Sequence, residues 1–333
     1  MNSIFLNQNP GTVAAVYPEA LTEALALSAG LDPAVRTKED VLREPELYAG
    51  TEYVFSTWGM PAFTEEEIAR VFPSLKAVFY AAGSVQGFAL PFIRSGVKVF
   101  SAWAANAVPV GEFTAAEIAL SCKGFWASSR QASRGDYAGA RRSFGGYPGC
   151  FEQKIGVIGA GMVGKEVIRR LKQYRFHTLV FDPFLPDSAA EELGVEKCSL
   201  EELFSQCIVV SNHLANNRET KGMLNYGLFS RMLPCATFIN TGRGAQVVEQ
   251  DLVKILTERP DLTALLDVTD PEPPAEGSPF FELDNCILTP HIAGSSGREV
   301  ARMAEYMAEE FAAFSQGKPV RYMVTEEMLR TMA

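Results

Sequence analysis

The segment IGVIGAGMVGKEVIRRL, residues 155–171, constrains this chain more than any other. A short apolar run of the kind a buried strand uses leads into Gly159, Gly161 and Gly164, spaced GxGxxG, and an amphipathic helical pattern follows. Strand, tight turn and helix in that order make a phosphate cradle. The first glycine permits the turn, the second lets backbone approach a pyrophosphate, and the third lets the helix pack close to the sheet. The helix start then turns unpaired N–H groups toward the phosphates. Glycines so spaced also occur in plain turns, so context decides. Here a second apolar run, TLVFD, ends in Asp182, 18 residues after Gly164. A carboxylate there accepts from both ribose hydroxyls of an adenosine and repels a 2′-phosphate. No arginine follows closely in DPFLPD, so NAD is expected over NADP. A loop aspartate with a purely structural task is the alternative.

The alternation of short apolar runs with amphipathic stretches continues past this point. A Ser199-to-Glu202 capping box precedes CIVVS (207–211), then come ATFIN (236–240), a helical pattern near 247–258, TALLDV (263–268) and CILT (286–289). Repeated units of this kind form a doubly wound parallel sheet. The first hundred residues alternate too, with strands expected at EYVFST (52–57), KAVFY (76–80) and VKVF (97–100) and a helix starting at Thr64 and Glu67. The fold class is therefore α/β with two units, a view supported by 333 residues and 47% hydrophobic content. Helical patterns at about 110–130 and 297–316 are the candidate connectors. GDYAGARRSFGGYPG (135–149) reads as an irregular excursion, and its Arg141-Arg142 pair as a solvated loop.

A formal charge of -10 without clustered Lys and Arg excludes nucleic acid as an expected partner. No apolar run reaches the length of a membrane span, and MNSIFLNQNPG lacks the build of a secretory signal, so no membrane partner and a cytoplasmic location are expected. Six scattered cysteines, none in a CxxC pair, read as reduced packing residues, and three histidines speak against a metal site.

Downstream of the glycines, three motifs each put a polar residue just past an expected strand: Arg243 in INTGRG, Glu272 in LLDVTDPEP and His291 in LTPHIAG. Strand ends are where such sheets bind ligands. Hydride transfer to a keto acid needs a cation for carboxylate and carbonyl, a proton donor for the oxygen, and a group that tunes the donor. Arg243 suits the first role with its planar, permanently charged fork. His291 suits the second, giving a proton to the keto oxygen or taking one in reverse. Glu272 would hold the imidazole and favour its charged form. A surface ion pair, a loop charge and a satisfied histidine are their ordinary alternatives. Taken jointly behind a nucleotide fingerprint, the three residues point to catalysis. Trp58, in STWGMP just after EYVFST, is placed either to wall a substrate pocket or to pack in a core.

GAGMVG, SNHLANNRETKGMLN, INTGRG, DVTDPEP and TPHIAG occur here in an order that resembles the D-isomer-specific 2-hydroxyacid dehydrogenase family. The resemblance covers most of the chain and is vaguer before residue 75. It implies a Rossmann NAD-binding domain (106–295) inserted in a smaller flavodoxin-like substrate domain (1–105 and 296–333), with the active site in the cleft, a small 2-hydroxy or 2-keto acid as substrate, and a homodimer. By matching position, Met162 and Val163 would line the pyrophosphate turn, Thr241 and Gly242 would touch the nicotinamide half, Asp267 would hold its carboxamide, Thr114 would reach the cofactor, and His213 would line the adenosine side. Backbone N–H groups of Gly83, Ser84 and Val85, in AAGSVQGF, would bind the substrate carboxylate. That loop departs from the usual family pattern from Gln86 onward, as does ANNRET. The other readings of this fold are a NAD-sensing, corepressor-like binding protein, for which no long recruitment tail is visible, and phosphite or formate dehydrogenases, the latter lacking a counterpart of Glu272.

Overall fold

In the computed structural model, which describes residues 2–330, the chain forms two compact units. One is built by the chain up to Asn106 and again from Ser295, the other by Ala107–Gly294. The strands of the first unit are β1 (Ser3–Leu6), β2 (Leu31–Arg36), β3 (Tyr53–Ser56), β4 (Ala77–Tyr80) and β5 (Lys98–Ser101). The second unit holds β6 (Lys154–Ile158), β7 (His177–Phe181), β8 (Glu196–Lys197), β9 (Val209–Asn212), β10 (Thr237–Asn240), β11 (Thr263–Leu266) and β12 (Cys286–Leu288). The chain then returns to the first unit for β13 (Met323–Val324).

The first sheet has the order β13-β5-β4-β3-β1-β2, parallel except for β13, which runs antiparallel to β5. Its strands are short and apolar on both faces, the mark of a sheet covered by helices on both sides. Phe55, Phe79 and Phe100 come from neighbouring strands in register and stack, with centroids 5.3 and 4.8 Å apart. Met303, Met307 and Phe311, spaced by four along the helix Val300–Ser315, are buried in the same core. Sequence reading placed no strand before residue 52, yet β1 and β2 are there. β1 is only four residues long, and β2 carries Pro33, which a sheet tolerates at the edge where β2 lies.

The second sheet is wholly parallel, with the order β12-β11-β10-β9-β6-β7-β8. From β6 the chain winds outward through β7 and β8, then returns to β9 on the other side of β6 and winds outward again. The strand order thus reverses between β6 and β9, and the crevice beyond their carboxyl ends is where such a sheet takes a ligand. Both expected capping boxes form, at Thr64–Glu67 and Ser199–Glu202.

Two local expectations need correction. The helical pattern at 110–130 is two helices, Trp103–Cys122 and Phe125–Ser133, because Gly124 between them adopts φ 62°. A side chain at Gly124 would also strike the Tyr147 ring at 2.3 Å. The excursion at 135–149 is not irregular throughout: Tyr137–Phe144 is helical, started by Asp136, whose carboxylate accepts from the Gly139 N–H at 2.8 Å. Arg141 and Arg142 on that helix are exposed.

Candidate active site

The glycine turn follows β6 at the switch point. Gly159 has φ 87°, and a Cβ there would meet the His213 carbonyl oxygen at 2.8 Å, so the turn and its close contact both require glycine. Gly164 stands in the first turn of the helix Met162–Leu171, where a Cβ would lie 2.0 Å from the Gly159 oxygen; the helix start packs directly on the turn. At Gly161 a Cβ would meet nothing within 4 Å, and no side chain caps the helix. Small size at Gly161 is therefore not demanded by the protein's own packing. It keeps space open in front of unpaired N–H groups, as a pyrophosphate needs. Met162 is exposed at the same helix start, and Val163 packs partly against the core.

Asp182 ends β7 and accepts from Ala160 N–H at 2.7 Å on one carboxylate oxygen and from Phe184 N–H at 2.8 Å on the other. It ties the glycine turn to its own loop. Each oxygen keeps lone-pair capacity for a ribose hydroxyl.

The INTGRG loop after β10 rests on a buried amide network that sequence reading did not pick out. Asn212 Nδ2 donates to Asn240 Oδ1 (3.0 Å) and Gln246 Oε1 (2.5 Å). Gln246 Nε2 donates to the Leu214 carbonyl (2.7 Å), and Asn240 Nδ2 to the Arg243 carbonyl (3.1 Å). All three side chains are buried. Two glycines let the loop fit this frame: a Cβ on Gly242 would press on Gln246 and Asn212, and one on Gly244 would lie 2.0 Å from the Thr269 backbone. Arg243 donates through Nη1 to the Gly242 carbonyl (2.7 Å). Burial lowers its pKa from the ordinary arginine value, and the Glu272 charge acts the other way. The signal that could have revealed the network is the asparagine ending both β9 and β10.

Glu272 and His291, 19 positions apart, meet: His291 Nδ1 lies 2.6 Å from Glu272 Oε1, both side chains half-exposed. Nε2, the other ring nitrogen, is left for a reacting oxygen. His291 has φ 56°, in the left-handed region that is uncommon for residues other than glycine. Asp267 braces the turn around it. This buried carboxylate accepts from Thr289 Oγ1 (2.6 Å), Ile292 N–H (2.8 Å) and Ala293 N–H (3.0 Å), and the Asp267 carbonyl accepts from His291 N–H (3.1 Å). Asp267 therefore anchors the turn carrying His291, a role not foreseen for it. A cavity of about 430 Å³ borders the pair, with Asp267, Thr269, Phe281 and Thr289 among its walls.

The His213 ring is buried between Ser211 Oγ (2.8 Å from Nε2) and Thr241 Oγ1 (3.4 Å from Nδ1). Thr241 is in turn 3.2 Å from Thr114 Oγ1 on the helix Trp103–Cys122. Burial pushes the His213 pKa down to about 3, so the ring is neutral.

In the first unit, the loop after β4 is held through its carbonyls: Ser101 Oγ bonds to the carbonyls of Ala82 (2.9 Å) and Gly83 (2.6 Å). Among the described residues, the N–H groups of Gly83, Ser84 and Val85 donate to no protein acceptor, while the Val85 side chain is buried. Trp58 follows β3 with 40% of its surface exposed, which fits a wall better than a core position. Its carbonyl accepts from buried Asn7 (3.0 Å). Among the described residues, no helix is long and apolar enough to cross a membrane and no cluster of three or more His, Cys, Asp or Glu is arranged to hold a metal.

Residues 117–293 match the family described as D-isomer specific 2-hydroxyacid dehydrogenase, NAD binding domain. Among curated proteins, a D-3-phosphoglycerate dehydrogenase of Archaeoglobus fulgidus is 28% identical over 299 residues, 89% of this chain and 55% of that protein. A glyoxylate reductase of Korarchaeum cryptofilum is 34% identical over 180 residues, 54% of each. The chain spans about half the length of the curated relatives it matches. Among solved structures, the apo D-mandelate dehydrogenase of Rhodotorula graminis gives a TM-score of 0.81 over 97% of both chains at 20% identity. A phosphoglycerate oxidoreductase from Rhizobium etli also gives 0.81, at 21% identity over 98% of this chain and 99% of that one. At such identities the likeness is one of fold.

Proposed function

The chain belongs to the D-isomer-specific 2-hydroxyacid dehydrogenase family, and from that premise we propose that it moves a hydride between NAD(H) and C2 of a small 2-hydroxy or 2-keto acid. The observation that carries the reading is the 2.6 Å contact of His291 Nδ1 with Glu272, made past the ends of the same sheet that carries the glycine turn. Bound NADH would supply the hydride, and NAD would accept it. His291 gives a proton from Nε2 to the keto oxygen and takes it back in the reverse direction, while Glu272 orients the ring and balances its charge. Arg243, charged and partly desolvated, holds the carboxylate and polarises the carbonyl. In the first unit, the free N–H groups of Gly83, Ser84 and Val85 are proposed as carboxylate donors and exposed Trp58 as a wall for an acid's side chain.

The pyrophosphate belongs at Gly159, Gly161, Met162, Val163 and Gly164, and the adenosine ribose at Asp182, whose charge favours NAD over NADP. Because hydride donor and proton donor must serve one carbonyl, the nicotinamide half belongs with Thr114, Thr241, Gly242 and Asp267, next to the His291 turn. A cytoplasmic homodimer completes the proposal. Exposed Phe125, Tyr137, Phe144 and Phe151 support a self-association surface, which sedimentation velocity checks. The deciding experiment follows NADH oxidation against 2-keto acids from glyoxylate to phenylpyruvate, with NADPH in parallel. Turnover with NADH on some member is expected. Bound NADH without turnover on any acid would overturn the reading in favour of a binding protein.

A further inference from the structure

Among the buried acids the mechanism leaves unused, Glu310 is paired with Arg321, but Glu117 has no arginine partner among the described residues. Glu117 lies on the helix Trp103–Cys122, three residues after Thr114 and four before Ser121, and all three are buried. Glu117 is 7% exposed, and its Oε2 has no hydrogen-bond partner among the described residues. Nor does any Lys or Arg there form an ion pair with it. The charge that reaches it is a like one, from Asp267 past β11. Asp267 accepts from three donors, whereas Glu117 Oε2 has none among the described residues. Burial, with Asp267 second, pushes Glu117 up to about 8.

The titratable groups at the other strand ends are not paired with it among the described residues. His213, past β9, is neutral; Arg243, past β10, acts on Glu272; and His291, past β12, is paired to Glu272. On Glu117's own helix, Glu112 is paired with Arg170 at 2.9 Å, and Cys122 is a thiol pushed up to about 12.

We infer that Glu117 is a positioning residue whose buried proton reports the charge of the nicotinamide: it stays when the neutral reduced ring is bound and leaves when the positively charged oxidised ring is bound. This rests on the proposed placement of that ring beside Asp267. An oxidised ring there adds a cation to a buried site holding one carboxylate and one carboxylic acid, and its field favours ionising the acid. The step is a dissociation only: the O–H bond of Glu117 breaks, the proton goes to solvent, and no electrons move. The site thus keeps the same single net negative charge with either cofactor, the charge of ionised Glu117 offsetting that of the oxidised ring. NAD and NADH are thereby distinguished by pH.

The test binds NAD and NADH separately to the wild-type protein and to Glu117→Gln, by calorimetry at pH 7 in buffers of different ionisation enthalpy and by fluorescence titration from pH 6 to 9. For wild type, NAD binding should release close to one proton and NADH binding almost none. NAD affinity should rise by up to about tenfold per pH unit below pH 8 and then level off, while NADH affinity stays flat. Glu117→Gln, isosteric with the protonated acid, should abolish both effects. Equal proton release by the two cofactors in wild type, or release that persists in Glu117→Gln, overturns the inference. The wild-type proton count decides even if the variant fails to fold. Failure of both cofactors to bind would instead overturn the proposed function itself, along with what rests on it.

Discussion

Three side chains from three strand ends share the proposed chemistry, and their different surroundings predict different defects. Arg243→Ala removes the fixed cation and should raise KM for the keto acid as well as lower kcat. His291→Ala removes the proton donor and should lower kcat by roughly 10²–10⁴-fold with a small effect on KM. Steady-state kinetics on the best acid of the panel separates them, and an unchanged kcat/KM in either variant would remove that residue from the mechanism. Asp267 acts through the backbone. Asp267→Ala frees two N–H groups and the Thr289 hydroxyl and removes what braces the turn around His291. Turnover should then collapse nearly as far as in His291→Ala, with a loss of stability on the order of 2 kcal/mol or more from stranded buried donors. Chemical denaturation with activity on the same samples checks this, and full activity would show that the turn needs no anchor.

At the scale of elements, the strand-turn-helix at 154–171 is the most tightly specified piece of the chain. Gly164→Ala places a methyl group 2.0 Å from the Gly159 oxygen, so the helix Met162–Leu171 must retreat from the turn it should present to the pyrophosphate. NADH affinity should fall by about tenfold or more, measured by fluorescence titration, while Gly161→Ala, with open space at its Cβ, should fold normally and lose affinity only by obstructing the ligand. A Gly164→Ala protein that binds NADH as wild type does would contradict the packing argument. Periodicity was readable wherever an element was long or its two neighbours were. It failed at β1 and β2, where four residues or an edge proline leave little pattern, and at 135–149, where a helix is started by one capping aspartate amid glycines.

For the whole molecule, two buried groups that are neutral in the folded chain set the pH dependence of stability. His213 has its pKa depressed by burial to about 3, so below the ordinary histidine value the unfolded chain binds a proton that the folded chain refuses. Stability is lost as pH falls from about 6.5 toward 3. Glu117 has its pKa raised to about 8, so the folded chain keeps a proton that the unfolded chain releases above about 4.5. Stability is lost as pH rises from there to 8. Each contributes on the order of a few kcal/mol at the far end of its window. The two effects cancel between about pH 4.5 and 6.5, so the melting temperature of the cofactor-free protein should be level there and fall on either side. Glu117→Gln should remove the fall above about pH 6.5, and His213→Asn the fall below about pH 4.5; a variant melting curve parallel to wild type would exclude that group. Sequence alone determined what local chemistry can encode: alternating strands and helices, a glycine turn in its strand-helix setting, and Arg243, Glu272 and His291 at strand ends. Tertiary structure alone decided which distant groups meet and which lose water. It joined Glu272 to His291, hung the His291 turn on Asp267, turned His213 toward Thr241, and buried Glu117 beside a like charge. The reason is physical: periodicity and turn preferences act over a few residues, whereas desolvation and charge coupling depend on neighbours brought close only by the folded sheet.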